Sequence, residues 1–410
     1  MANNEIHNHH TPMNTTTPLL RSFPLFLLAF LLSCTHSEVI APATFACSVD
    51  FNDQSDTHPK RNRFQALLDQ KVRQGVPGIL LSVQDPVNDE WLGAAGMADL
   101  YNQIPLQKCN ITRVGSTVKT FTAVTVLMLY DEGLLSLDDA VSQYLPNSVL
   151  NKLDNGTKVT VRQLLNHSSG LYNYIQNLQF QTASLNDLKK EWSPDELLAY
   201  ANGKKAYFAP GTDMRYSNTN YILLGMLIEQ ITQKPFYQVF EEKIFQPLHL
   251  TSTQFAARNP VPKTIIRGYV DLYNDLNVVE STYYSGWDYY TADGGLISNP
   301  HDMAFFLHAL FDGKLLKPAT LAEAMQWKEP LKQEPETYKT AAGLGFFRIE
   351  TPYGIAYTHS GDAIGYYANM LYFPQQKTTV VYGVNGNYGQ IDPLVSSPEA
   401  INGLLETVFR

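Results

Sequence analysis

Ser116-Thr117-Val118-Lys119 sets a hydroxyl and an amine three residues apart, a spacing that puts both on one face of a helix. Lys119 Nζ is then within reach of Ser116 Oγ. A serine hydroxyl is a weak nucleophile until a neighbouring base takes its proton, and a lysine serves as that base when burial or nearby cations depress its pKa. A helix N-terminus adds its positive dipole end and unpaired N–H groups beside Ser116. Ser-x-x-Lys alone is common, and its ordinary reading is an N-cap serine followed by a solvated lysine. The flanks argue otherwise. Gly115 precedes the motif, and Val118, Phe121, Val124, Val126, Leu127, Met128 and Leu129 make the following segment apolar almost all round. Such a helix belongs in a core, and a lysine at its head needs a reason.

Two more constellations carry chemistry. Tyr216-Ser217-Asn218 follows Pro210-Gly211 and precedes a second apolar helix. A tyrosine beside a cation loses its proton more readily and acts as a base, and an asparagine amide both donates to and accepts from a substrate amide. His359-Ser360-Gly361 follows a strand. Gly361 lets substrate backbone approach at the strand edge, and His359 and Ser360 offer polar groups there. Standing alone, each tripeptide reads as structural: a turn tyrosine, and a solvated strand-end histidine.

The elements that must position these groups follow from periodicity. A helix is predicted over about residues 60–74, broken by Gly75-Val76-Pro77-Gly78, with strands over 79–83 and 91–97. Helices over 116–130 and 220–232 dominate the middle, and Asp138-Asp139-Ala140-Val141 reads as a helix start that Pro146 stops. Strands return over 344–349, 355–358, 368–373 and 378–384, and a helix over 397–409 ends the chain. The expected class is α/β (α+β): one sheet built from both ends, residues 59–115 with 290–410, around an inserted, mainly helical domain over 116–289.

The three motifs in this order, Ser-x-x-Lys, Tyr-x-Asn and His-x-Gly, resemble those of the class C β-lactamase and serine DD-peptidase family. Leu164-Leu165-Asn166-His167-Ser168-Ser169-Gly170-Leu171, Tyr216-Ser217-Asn218-Thr219-Asn220-Tyr221 and Gly294-Gly295-Leu296-Ile297-Ser298 extend the resemblance from about Phe64 to the C-terminus. It implies an antiparallel sheet flanked by helices, and an acyl-enzyme on Ser116 whose proton passes to Lys119 and Tyr216 as a pair. It also implies an oxyanion held between the N–H groups of Ser116 and Asp362, an acyl-side amide oriented by Asn218, and a far end held by His359 and Ser360. Tyr-Ser-Asn with His-x-Gly is most similar to soluble D-alanyl-D-alanine carboxypeptidases. Class C β-lactamases carry Lys-Thr-Gly as the third motif, and carboxylesterases of the family often lose the asparagine or the third motif. This chain keeps Asn218 and lacks that lysine. Asp362 then sets a carboxylate beside the place of a substrate carboxylate. Arg348 is one replacement cation, although a solvent-facing strand arginine is its ordinary reading. The implied substrate is a small peptide, ester or β-lactam. An esterase or β-lactamase is the enzymatic alternative, and a non-catalytic binding relative is the other.

The rest of the chain excludes more than it adds. With 39 acidic against 30 Lys and Arg residues, a net charge of -9, no basic patch recommends a nucleic-acid partner. No Gly-rich phosphate loop occurs, His301-Asp302 lacks metal-ligand partners at useful spacing, and His167 reads as a core histidine, so no cofactor or metal is expected. Leu25 to Leu32, preceded by Arg21, is about eight apolar residues, too short to span a bilayer and suited to a signal-peptide core. His7, His9 and His10 precede it and are expected to be lost on processing. Leu31-Leu32-Ser33-Cys34 resembles a bacterial lipobox, which implies export to the periplasm and membrane attachment through lipidated Cys34; an ordinary cleaved signal is the alternative. Residues 1–34 are thus read as the signal and 35–58 as a tether. Cys47 and Cys109 remain, either as an oxidised pair or as separate thiols.

Overall fold

The computed structural model describes residues 51, 55–255, 265–284, 291–334 and 337–410. Two compact units divide the chain, Met1–Pro42 and Ala43–Arg410. The first lies wholly outside the described residues, as do the signal core, Cys34 and Cys47; the structure below is that of the second.

An eight-stranded antiparallel sheet draws strands from both ends of the chain. From the N-terminal side come β1 (Gly78–Asp85), β2 (Asp89–Asp99) and β3 (Ile104–Pro105). From the C-terminal side come β4 (Thr340–Ala342), β5 (Phe347–Thr351), β6 (Gly354–Ala363), β7 (Tyr366–Phe373) and β8 (Thr378–Val384). The order is β3-β2-β1-β8-β7-β6-β5-β4, so β1 joins the two halves in register Ile79↔Val384 and Val83↔Val380.

Both faces of the sheet are covered, which is why β7 and β8 are buried at every position. On one face α1 (Arg61–Arg73) and the C-terminal helix Pro398–Phe409 pack over Ile79, Leu81, Tyr367, Leu371 and Tyr382. Side chains alternate across a strand, so Ala368, Met370 and Val381 project to the other face. There they meet the large core around α2 (Val118–Asp131), α3 (Asn218–Thr232) and α4 (Pro300–Phe311); with α4 placed, the C-terminal helix is α5. Phe121 on α2 stacks on Phe306 of α4 with ring centroids 3.7 Å apart.

Three local expectations differ from what is found. The first helix turn holding Ser116 is a separate 3-10 turn, Gly115–Thr117, and α2 begins at Val118. Residues 138–145 contribute only a 3-10 turn, Val141–Gln143; Pro146 starts the short helix Asn147–Leu150 rather than ending one, as suits its fixed φ. The strand expected to stop at Thr358 continues through Ala363, because His359, Gly361 and Asp362 pair with Met370, Ala368 and Tyr367 of β7. Tertiary pairing outweighs the weak strand propensity of Ser-Gly-Asp.

Candidate active site

Ser116 sits at the seam between sheet and helices, and a packing constraint puts it there. Gly115 has φ +49°, and a Cβ built on it would fall 2.5 Å from the carbonyl oxygen of Asp362 and 2.8 Å from its nitrogen. A Cβ on Gly361 would collide with the Val114 carbonyl and fall 2.6 Å from the Ser116 nitrogen. Facing glycines therefore let β6 and the nucleophile turn meet backbone to backbone. The close approach expected at Gly361 is real, but the Val114–Ser116 backbone, not substrate, occupies it.

Ser116 is partly exposed, and Lys119, one turn on, is fully buried. Lys119 Nζ donates to Ser116 Oγ at 2.9 Å and to the Asp293 carbonyl oxygen at 2.5 Å, and it lies 5.2 Å from the centroid of the Tyr216 ring. Tyr216 Oη donates to the same Ser116 Oγ at 3.0 Å. A partly exposed hydroxyl thus receives hydrogen bonds from the two groups best able to exchange its proton.

The turn bearing Tyr216 is held by His167, which is buried with φ +58°. The Arg215 N–H donates to the His167 carbonyl at 3.0 Å, and the Ser217 N–H donates to its Nδ1 at 3.2 Å. Accepting at Nδ1 requires a neutral ring, and burial together with the Lys119 charge keeps the His167 pKa well below the usual imidazole value. The histidine expected in the core is in the core, its ring centroid 4.5 Å from that of Tyr216. Asn218 opens α3, and both its N–H and its side-chain amide are held by Asn173 Oδ1, at 3.2 Å and 3.4 Å.

On β6, His359 is 3% exposed, so the reading as a solvated strand-end histidine fails. Its Nδ1 donates to the Ser360 carbonyl at 2.7 Å, which leaves Nε2 as an acceptor with no hydrogen-bond partner among the described residues. Burial, then the Lys119 charge, hold its pKa down at about 3. Ser360 and Asp362 alternate with buried His359 and Gly361 and are exposed. Atoms nevertheless crowd the Asp362 carboxylate. That crowding, with Asp392 adding like charge, pushes its pKa up to about 6 against a hydrogen bond from Asn387. Arg348 is not the replacement cation: it pairs with Glu329 at 3.2 Å and lies over Trp327, while its neighbours Phe347 and Ile349 line the cleft.

These residues share one cleft of about 510 Å³. Ser116, Tyr216, Asn218, His359, Ser360 and Asp362 line it, and Ile175, Phe347, Ile349, Tyr338 and Ile401 give it an apolar wall. A larger cavity of about 620 Å³ opens beside Phe245, His249 and Phe255, and it contains none of these residues. Volume does not choose the site; the converging polar groups do. Sequence reasoning missed Asp293, whose buried carboxylate accepts from Thr291 Oγ1 at 2.5 Å and Tyr174 Oη at 3.1 Å. Burial pushes its pKa up while the Lys119 ammonium pulls it down. Its position directly before Gly294-Gly295 was the available cue. Tyr338, Ser396, Pro398 and Ile401 carried none, because only the packing of the segment before β4 against the C-terminal segment and α5 brings them to the cleft.

A sheet drawn from both chain ends, a helical insert and a serine held by lysine and tyrosine at their seam define a β-lactamase-type serine hydrolase fold. The β-lactamase family model matches residues 62–395, and the chain belongs to that family, whose members are serine hydrolases. Penicillin-binding protein 4* of Bacillus subtilis is 28% identical over 70% of this chain, which spans 63% of that protein's length. Among solved structures, a D-stereospecific amidohydrolase from Streptomyces sp. is 30% identical, with TM-score 0.71, 81% of this chain covered and 97% of the other. The D-amino acid amidase of Ochrobactrum anthropi SV3, complexed with L-phenylalanine amide, is 26% identical with TM-score 0.74, covering 85% and 98%.

Proposed function

We propose that this protein hydrolyses amide bonds of small D-amino acid amides or peptides through an acyl-enzyme on Ser116. The observation that carries the reading is Ser116 Oγ receiving Lys119 Nζ at 2.9 Å and Tyr216 Oη at 3.0 Å at the floor of a cleft that Asn218 also lines. In the reacting state the Lys119–Tyr216 pair accepts the Ser116 proton as Oγ attacks the carbonyl, and one of them returns it to the leaving amine. The carbonyl oxygen becomes negative between the N–H groups of Ser116 and Asp362, whose backbones the facing glycines bring together. One such donor is worth about 3 kcal/mol. Asn218, fixed by Asn173, orients the acyl-side amide. Water then releases the acyl group.

The names of the similar solved structures, a D-stereospecific amidohydrolase and a D-amino acid amidase, support the substrate class. The D-alanyl-D-alanine carboxypeptidase reading is retained as the second, on the likeness to a penicillin-binding protein. It requires a group to receive a carboxylate, and His359 stands where a lysine would serve. Ammonia release from D-phenylalanine amide and D-alanine release from a D-alanyl-D-alanine peptide separate the two. The first reading expects turnover of the amide above that of the peptide, lost in Ser116→Ala; the reverse ranking moves the assignment to the carboxypeptidase. We further propose export with lipidation at Cys34. The disulfide at Cys109 supports an oxidising compartment. Mass measurement of the mature N-terminal peptide tests it, an unmodified Cys34 being the contrary result.

A further inference from the structure

We propose that the Asp362 carboxylate selects substrates carrying a positive charge, in practice the free α-ammonium of an amino acid amide, and turns away those that end in a carboxylate. The proposal deepens the amide-hydrolase reading and rests on it. The cleft's charge inventory is the starting point. Among its described lining residues there is no lysine or arginine, and Asp362 is the one acidic side chain. His359 borders the same cleft as a buried, neutral ring, so it adds no positive charge. Lys119 is fully buried behind Ser116, with its ammonium on Ser116 Oγ and the Asp293 carbonyl. Arg348 is spent on Glu329.

Strand geometry explains why Asp362 is on the recognition wall rather than in the reacting centre. Side chains alternate along β6, so Gly361 meets the nucleophile turn while Ser360 and Asp362 stand on the other side, opposite Asn369 and Tyr367. The Asp362 backbone borders Gly115, so its carboxylate belongs to a residue in contact with the nucleophile turn. A substrate carbonyl carbon over Ser116 Oγ then carries its α-substituents past this strand. An ammonium there meets a carboxylate. A substrate carboxylate there meets like charge with no cation to offset it. The groups facing Asp362 add no positive charge: they are Asp392, Tyr367, Tyr382 and the Asn387 amide. Crowding by these groups costs the ionised form free energy, and a bound cation relieves that cost.

The test measures equilibrium binding to the Ser116→Ala protein, which removes turnover. Three probes share one apolar side chain: D-phenylalanine amide, N-acetyl-D-phenylalanine amide and N-acetyl-D-phenylalanine, which are cationic, neutral and anionic. Measurement at about pH 7 keeps Asp362, near 6, largely ionised and an α-amine, near 7.7, largely protonated. The expected order is cation, then neutral, then anion. Adding Asp362→Asn lowers the cation-to-neutral affinity ratio by roughly two- to fivefold, the size of a partly screened charge pair. A cation bound no tighter than the neutral probe overturns the proposal, as does a ratio that Asp362→Asn leaves unchanged or a cation that fails to bind at its solubility limit. The two readings fail separately. Absent ammonia release with the expected binding order removes the amidase and keeps the selectivity, whereas turnover with a flat binding order does the opposite.

Discussion

Ser116, Lys119 and Tyr216 meet on a single oxygen, and consequences follow for each neighbour. Lys119 is buried on an apolar helix and has no solvent to stabilise it. Lys119→Met removes that charge with little change of volume but leaves the buried Asp293 carboxylate without its counter-charge, so acylation should fall by about 10²–10⁴ and the melting temperature should fall with it, in a paired rate and melting measurement. His359, held at about 3, is neutral throughout the physiological range. The acid limb of the pH–rate profile should therefore be unmoved in His359→Gln, and a limb near the usual imidazole value that vanishes in the variant would contradict this. Asp362 runs the other way, its pKa raised from 3.8 to about 6. A raised carboxylate favours the fold only while protonated, below its unfolded value, and that contribution is lost as pH rises through about 6. Asp362→Asn should then stabilise the protein by about 1 kcal/mol near pH 8 after allowing for solvent screening of this exposed group, and by less near pH 5. A stability gain from removing a cleft residue is what a group kept for function displays.

At the scale of elements, the facing glycines govern the site. Gly361→Ala forces a methyl against the Val114 carbonyl and the Ser116 nitrogen, and the backbone cannot yield without parting β6 from the nucleophile turn. The expected cost is about 1–3 kcal/mol of stability, with acylation lost more completely than stability, as a serine probe and a melting curve would show together. The sequence placed α1, β1, β2, β7, β8 and the two central helices, because each buries a clear apolar pattern. The residues that meet at Ser116 were legible because hydroxyl, amine and phenol fell into a known order. Less was legible where tertiary contacts decide. The strand through Asp362 forms because β7 pairs with it, although Ser-Gly-Asp has weak strand propensity. The partner of Gly361 lies across the sheet–helix seam, far off in sequence. Asp293 shows its role only once Lys119 is seen to bond its carbonyl.

At the scale of the molecule, the sheet closes only when the two ends of the chain meet, as in Ile79↔Val384. Ending the chain after Lys377 removes β8 and α5, separates β1 from β7, and strips both the sheet face and the cleft wall at Ile401. Such a fragment should be unfolded by circular dichroism and digested quickly, and a folded fragment would contradict the architecture. Cys109 is disulfide-bonded and lies outside the cleft lining. Cys109→Ser should lower stability by about 2–4 kcal/mol and leave the acylation rate unchanged. All of this converges on a cleft whose chemistry begins at one oxygen. The most direct measurement is therefore an intact-mass time course of the protein with a penicillin and with a fluorophosphonate, followed by peptide mapping, beside Ser116→Ala. The account predicts a single adduct on the peptide containing Ser116, slowed in Tyr216→Phe and absent in Ser116→Ala. An adduct that persists in Ser116→Ala, or that maps to another residue, would contradict it.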